Sequence, residues 1–129
     1  MNLSDELGAN GGTSTQCLTL YIPDHDKDGN PLIDQRRWVL DGANLLARIG
    51  GGVTIMPAVE GGWVNSAGEI IWEKPVLIYT FIKPSAFREL LSELRKFLHS
   101  LGRETRQGEV AFEFDGRFYR ITKFDASGK

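Results

Sequence analysis

"VLIYTFIKPSAFRELLSELRKFLHSLG", residues 76 to 102, sets two elements of different period end to end. Its first seven residues are apolar almost without a break, the pattern of a strand that sits mid-sheet or is covered on both faces. Beyond Pro84 the apolar residues return at helical spacing, as Phe87, Leu90, Leu91, Leu94, Phe97, Leu98 and Leu101, with Ser85 near the start and Gly102 just past the end. A central strand that runs straight into a long amphipathic helix restricts what its neighbours can be.

Upstream lies "VTIMPAV", residues 53 to 59, a strand whose Pro57 cannot donate to a ladder and which is therefore expected at a sheet edge. Before it, "DQRRWVLDGANLLARIGGG" gathers Trp38, Val39, Gly42, Ala43, Leu45, Leu46 and Ile49 on one side, and Arg37, Asp41, Asn44 and Arg48 on the other. That is an amphipathic helix, with Asp34 expected as its N-cap and Gly50 to Gly52 as its stop. Gly42 on the inward stripe costs about 1 kcal/mol of helix propensity, which points to close approach of a sheet. Earlier still, Leu18, Leu20 and Ile22 alternate with Thr19 and Tyr21 in a first strand of about residues 16 to 22.

Downstream, "EVAFEFDGRFYRITKF" is two alternating runs joined by Asp115-Gly116, a strong short-range hairpin signal. That register puts Val110, Phe112 and Phe114 on one face with Tyr119 and Ile121. The order strand, helix, strand, strand, helix, strand is the α+β, ferredoxin-like βαββαβ pattern. It predicts an antiparallel sheet with both helices on one face and an additional C-terminal strand. Residues 1 to 14, polar and Gly-rich, read as a flexible leader, and 15 to 125 as a single domain.

The chain of 129 residues suits one core, which buries roughly two-thirds of the unfolded chain's surface. With 41% apolar and 25% charged residues it has neither a disordered nor a fibrous composition. A net charge of -2 argues against nucleic acid as a partner. The single Cys17 has no intrachain disulfide partner and is expected to be buried as a small hydrophobe. No stretch resembles a signal peptide or approaches 18 apolar residues, so a cytoplasmic location without membrane insertion is expected.

Two regions carry candidate chemistry. In "PDHDKDGNPLID", residues 23 to 34, the side chains of Asp24, Asp26 and Asp28 with Gly29 match the first half of a calcium loop. The twelfth position is Gln35, which offers no bidentate carboxylate. The same carboxylates at a strand end are also where a divalent ion for phosphodiester cleavage would sit, with Asp24 and Asp26 as its ligands. His25 and His99 are separate, without metal-ligand spacing, and both are expected at the surface.

The second region is "EGGWVNSAGEIIW", where Trp63 and Trp72 flank a Gly-rich tip spanning Asn65 to Gly68. Large aromatics on a projecting hairpin serve as contact anchors, although both could instead close the end of the core. Arg103, Arg106, Arg117 and Arg120 outline a basic patch near the last hairpin, with Glu104, Glu109 and Glu113 placed to neutralise much of it.

Residues 17 to 82, from "YIPDHDKDGNPLID" through "GGGVTIMPAVEGGWVNSAGEIIWEKPVLIY", resemble a loose group of small uncharacterised prokaryotic proteins. That group shares a strand ending in Pro and an Asp-to-Gly turn, a helix, a Gly-Gly-x-Thr strand and a Gly-x-Trp turn. The likeness implies no catalytic residues. The architecture is also similar to the oligomeric PII and CutA-type proteins, whose long loop between strands two and three corresponds in position to residues 60 to 74.

The expected function is therefore a non-catalytic, homo-oligomeric protein without cofactor. It would bind a small ligand, such as a nucleotide, or a protein partner. Trp63, Asn65 and Trp72 of the 60 to 74 hairpin, with Arg117 and Arg120, would line a cleft between subunits. The alternative is a nuclease or phosphodiesterase dependent on Mg²⁺ (or a Ca²⁺ binder) built on Asp24, Asp26 and Asp28.

Overall fold

The computed structural model describes residues 1 to 126. Its elements are α1 (Leu3–Leu7), β1 (Cys17–Ile22), α2 (Gln35–Gly50), β2 (Thr54–Met56), β3 (Gly61–Val64), β4 (Ile70–Glu73), β5 (Val76–Phe81), α3 (Pro84–Glu104), β6 (Val110–Phe114) and β7 (Arg117–Ile121). Five strands form one sheet in the order β2-β5-β1-β6-β7, every neighbouring pair antiparallel, while β3 and β4 form a separate two-stranded ribbon. This is the ferredoxin-like arrangement with β7 appended. As Pro57 and the apolar run at 76 to 82 predict, β2 is an edge and β5 an interior strand.

The core lies between one face of the sheet and the two long helices. Leu18, Leu20 and Ile22 of β1 and Ile78 of β5 are fully buried against Leu46 and Ile49 of α2 and Leu98 and Leu101 of α3. Phe87 of α3 stacks on Phe114 of β6, with ring centroids 5.1 Å apart, and Trp38 of α2 meets Phe97 of α3 edge-on. Gly42 lies where α2 crosses β5. A Cβ there would stand 2.7 Å from Ile78 Cδ1 and 2.9 Å from Phe97 Cζ, so the glycine allows both the sheet and α3 to approach. The β6–β7 hairpin turns through Asp115 (φ 53) and Gly116 (φ 80), the left-handed pair that a type I′ turn requires.

Four details differ from the sequence expectations. Asp34 stands at the N-cap of α2 without capping it, because its carboxylate accepts from Arg37 Nη2 at 3.0 Å instead. Cys17 is only half-buried, since it points away from the helices. His99 is buried, at 7% exposure: residues after β7 fold back over α3, Phe124 meets its ring edge-on, and the Asp125 N–H donates to its Nδ1 at 2.7 Å. Residues 3 to 7, where no element is expected, form one helical turn capped by Asn2, none of it buried.

No helix among the described residues is long and apolar enough to cross a membrane.

Candidate functional site

Antiparallel pairing brings the end of β1 together with the beginnings of β5 and β6 at one end of the sheet. The acidic turn leaves β1 there, and the β3–β4 ribbon enters β5 there through Lys74 and Pro75.

The turn is closed on itself. Asp26 Oδ1 accepts the N–H groups of Asp28 (2.8 Å) and Asn30 (3.0 Å), and its Oδ2 accepts from Asn30 Nδ2 at 3.2 Å. These hydrogen bonds, the Asn30 N–H foremost, hold the Asp26 carboxyl below the usual carboxylate range. Asp28 Oδ2 faces outward to Arg106 at 2.9 Å. Asp24 turns the other way. Its Oδ1 is buried and lies 2.8 Å from His25 Nδ1, off the line of a hydrogen bond, so that this oxygen has no hydrogen-bond partner. The three carboxylates thus go to three separate partners, and no group of three or more His, Cys, Asp or Glu side chains among the described residues has the arrangement of a metal site.

Asp24 lies within range of the charge of Glu73, the last residue of β4. Burial raises the half-buried Glu73 carboxyl above its ordinary value, the negative charges of Asp24 and Glu109 raise it further, and His25 opposes them. Glu73 therefore feels the charges of Asp24, His25 and Glu109 at the sheet end. Of these, Glu73 does not figure among the residues singled out from sequence, and Glu109 does so only as a neutraliser of the basic patch.

The ribbon's register decides which side chains overlook this cluster. Trp63 is paired with Ile71 and Gly61 with Glu73, so Trp63, Ile71 and Glu73 share one face; Trp72 pairs with Gly62 and belongs to the other face with Val64 and Ile70. The two tryptophans are back to back, Trp63 at 52% and Trp72 at 67% exposure, and do not close the end of the core. Neither ribbon strand packs more than marginally on any other described element. Asn65 shapes the tip: its Oδ1 accepts the N–H groups of Ala67 (2.9 Å) and Glu69 (3.0 Å).

Arg117 and Arg120 lie on β7, the edge strand across the sheet from the ribbon, and three residues apart they point to opposite faces. Within one chain they join neither each other nor the tryptophans. Arg103 and Arg106 are engaged elsewhere, with the Asp125 carbonyl and with Asp28. A shallow cleft of about 430 Å³ lies behind the acidic turn, lined by Asp26, Ile33, Asp34, Glu104 and Arg106 among others, and has no aromatic wall.

No family model and no curated protein matches the chain. Solved structures that share its fold include two of phage SAM lyase. One is a phage SAM lyase in complex with S-methyl-5′-thioadenosine, with TM-score 0.58, 16% identity, and coverage of 87% of this chain and 92% of that one. The other is a phage SAM lyase in the apo state, with TM-score 0.56, 18% identity, and coverage of 88% and 94%.

Proposed function

We propose that this protein binds a small adenosine-bearing ligand at the sheet end beneath the ribbon, as a self-associating domain. One observation carries the reading: Trp63 and Ile71 share a ribbon face with Glu73, the carboxyl that feels the charges of Asp24, His25 and Glu109 at the sheet end. An indole face takes a purine ring by stacking, worth about 1–3 kcal/mol per base. Carboxylates held in partial burial favour a ligand that brings positive charge, because such a charge offsets their mutual repulsion. SAM, with its sulfonium and amino group, has both features, and its thioether relative S-methyl-5′-thioadenosine keeps the purine without the cationic sulfur. The shared fold with a lyase that holds the latter compound supports this choice of ligand.

Titration calorimetry with both compounds tests it. Trp63→Ala is expected to weaken both by ~10-fold or more, the loss of one stacked base. Glu73→Gln is expected to weaken SAM more than S-methyl-5′-thioadenosine, while raising the denaturation midpoint at pH 7. The sign follows from a folded pKa above the ordinary 4.5. Glu73 contributes stability that is complete below pH 4.5 and lost as pH rises through the raised value, so the gain on substitution should vanish in acid. Absence of heat with either compound would defeat the reading. Chromatography of the SAM mixture shows whether the ligand is also cleaved, and Mg²⁺ and Ca²⁺ injections test the divalent-ion alternative at Asp24, Asp26 and Asp28.

A further inference from the structure

The face of the ribbon turned away from Glu73 is apolar and uncovered. Val64, Ile70 and Trp72 share it at 66%, 53% and 67% exposure. Gly62 completes it: a Cβ at that position would lie 3.0 Å from the Trp72 ring, so the indole rests over bare backbone. The result is a flat plate without charge. A two-stranded ribbon is marginal in water by itself, and an exposed apolar plate of this kind marks a contact surface.

A second uncovered apolar surface lies on the sheet. The helices cover only the side of Leu18, Leu20 and Ile78, and the opposite side presents Met56, Leu77, Tyr79, Phe81 and Phe118. Of these, Met56, Phe81 and Phe118 are 40%, 47% and 57% exposed. The one acid on this face among the described residues, Glu113, accepts a hydrogen bond from the Tyr21 hydroxyl and is the single negative charge there. The chain does not lay its own ribbon there. Only Lys74 and Pro75 separate β4 from β5, and the Val59 N–H donates to the Pro75 carbonyl at 3.0 Å, tying the two legs together where they leave the sheet.

We propose that the Val64–Ile70–Trp72 plate of one copy docks on the uncovered sheet face of a second copy. This rests on the self-association stated above and names its surfaces. Two arguments select a second copy as the occupant. The first is area: one plate offers only about 300–400 Å² of exposed side chain, judged from the 150–250 Å² that a large aromatic buries. A stable interface needs about 800 Å² per partner. If every copy gives a plate and receives one on its sheet face, each chain contributes twice, and the exchange closes as a dimer or a ring. The second is charge: Glu60 and Lys74 stand at the base of the plate, and Glu113 and Arg120 lie on the sheet face, so each surface offers one acid and one base that can pair across the contact.

The test is the solution mass of the full chain by light scattering, for the wild type, for Ile70→Glu on the plate and for Phe81→Lys on the sheet face. Both positions are exposed, and thermal melts followed by circular dichroism verify that each variant is folded. Each variant alone should associate ~100-fold more weakly or worse, since a lone charge enters an apolar contact. An equimolar mixture should regain association, because one junction is then native and the other pairs Glu with Lys. If the wild type is a monomer even at high concentration, both the docking and the self-association fail. If the wild type associates and Ile70→Glu leaves its mass unchanged, or if the mixture of two monomeric variants stays monomeric, the docking alone is overturned.

Discussion

The two faces of the sheet are built by alternate residues of the same strands and have opposite surroundings. On the helix side Leu18, Leu20, Ile22 and Ile78 are 0% exposed. On the other side Tyr21, Leu77 and Tyr79 are half-buried and Phe81 is exposed. A sheet with one solvated face ordinarily alternates apolar with polar residues. β5 does not alternate, and so its unbroken apolar run marks two surfaces: one is packed under the helices, and the other stays partly open to solvent. The sharpest way to break this distinction is a pair of neighbours. Ile78→Ala should cost about 2–5 kcal/mol, the range for emptying a buried site. Leu77→Ala should cost about 1–2 kcal/mol, because part of that half-buried side chain stays in water and the site it leaves is open to solvent. Urea denaturation at low protein concentration measures both, and equal losses would show the faces to be energetically alike.

Gly42 sharpens the comparison from the helix side. In an exposed helix, replacing Gly by Ala stabilises by about 1 kcal/mol. Here the added methyl would press on Ile78 and Phe97, both parts of packed core elements, and overpacking typically costs about 1–3 kcal/mol. Gly42→Ala is therefore expected to lower the denaturation midpoint. A rise would mean that α2 can slide on β5, and that the covered face is less tightly fixed than its burial implies.

The fold was legible because each element announces its period. Two-residue alternation, helical stripes, Asp115-Gly116 and Pro57 together determine strand order without any long-range information. Gly42 even marked the crossing of helix and sheet. What escaped depends on which distant groups meet. His99 lies on the polar stripe of α3, and its burial comes from residues after the last strand that no periodicity places. Asp34 has the right type and position for a cap, but Arg37, one helical turn on, competes for its carboxylate. The expected basic pair is a different case: residues three apart on a strand face opposite ways, so the period that located β7 already separates Arg117 from Arg120. The tip escaped by one residue: a turn at Asn65 to Gly68 would set Trp63 against Ile70 and put both tryptophans on one face, whereas the Asn65 N–H donates to the Glu69 carbonyl, so the tip is a residue longer and Trp63 pairs with Ile71. Glu73 and Glu109 were within reach too, since the predicted topology collects the end of the first strand with the starts of two others, where both acids stand.

The smallest expected effect concerns Tyr21, one of the polar members of the open face. Its hydroxyl donates to Glu113, and its ring meets Phe118 edge-on with centroids 6.0 Å apart. Burial and the neighbouring carboxylate push its pKa up to about 12 from the ordinary 10.0. A raised folded pKa means that the protonated hydroxyl contributes stability fully below pH 10, and that this is lost as pH rises through about 12. Tyr21→Phe should cost ~1 kcal/mol or less at neutral pH, the ordinary worth of one hydrogen bond, and should flatten the fall of the denaturation midpoint between those two pH values. Repeating the measurement at high protein concentration joins this test to the docking surface. If a second copy covers the open face, the hydrogen bond is shielded from water and the substitution costs more in the associated state than in the dilute one. An effect independent of concentration would leave Tyr21 at a surface that nothing covers.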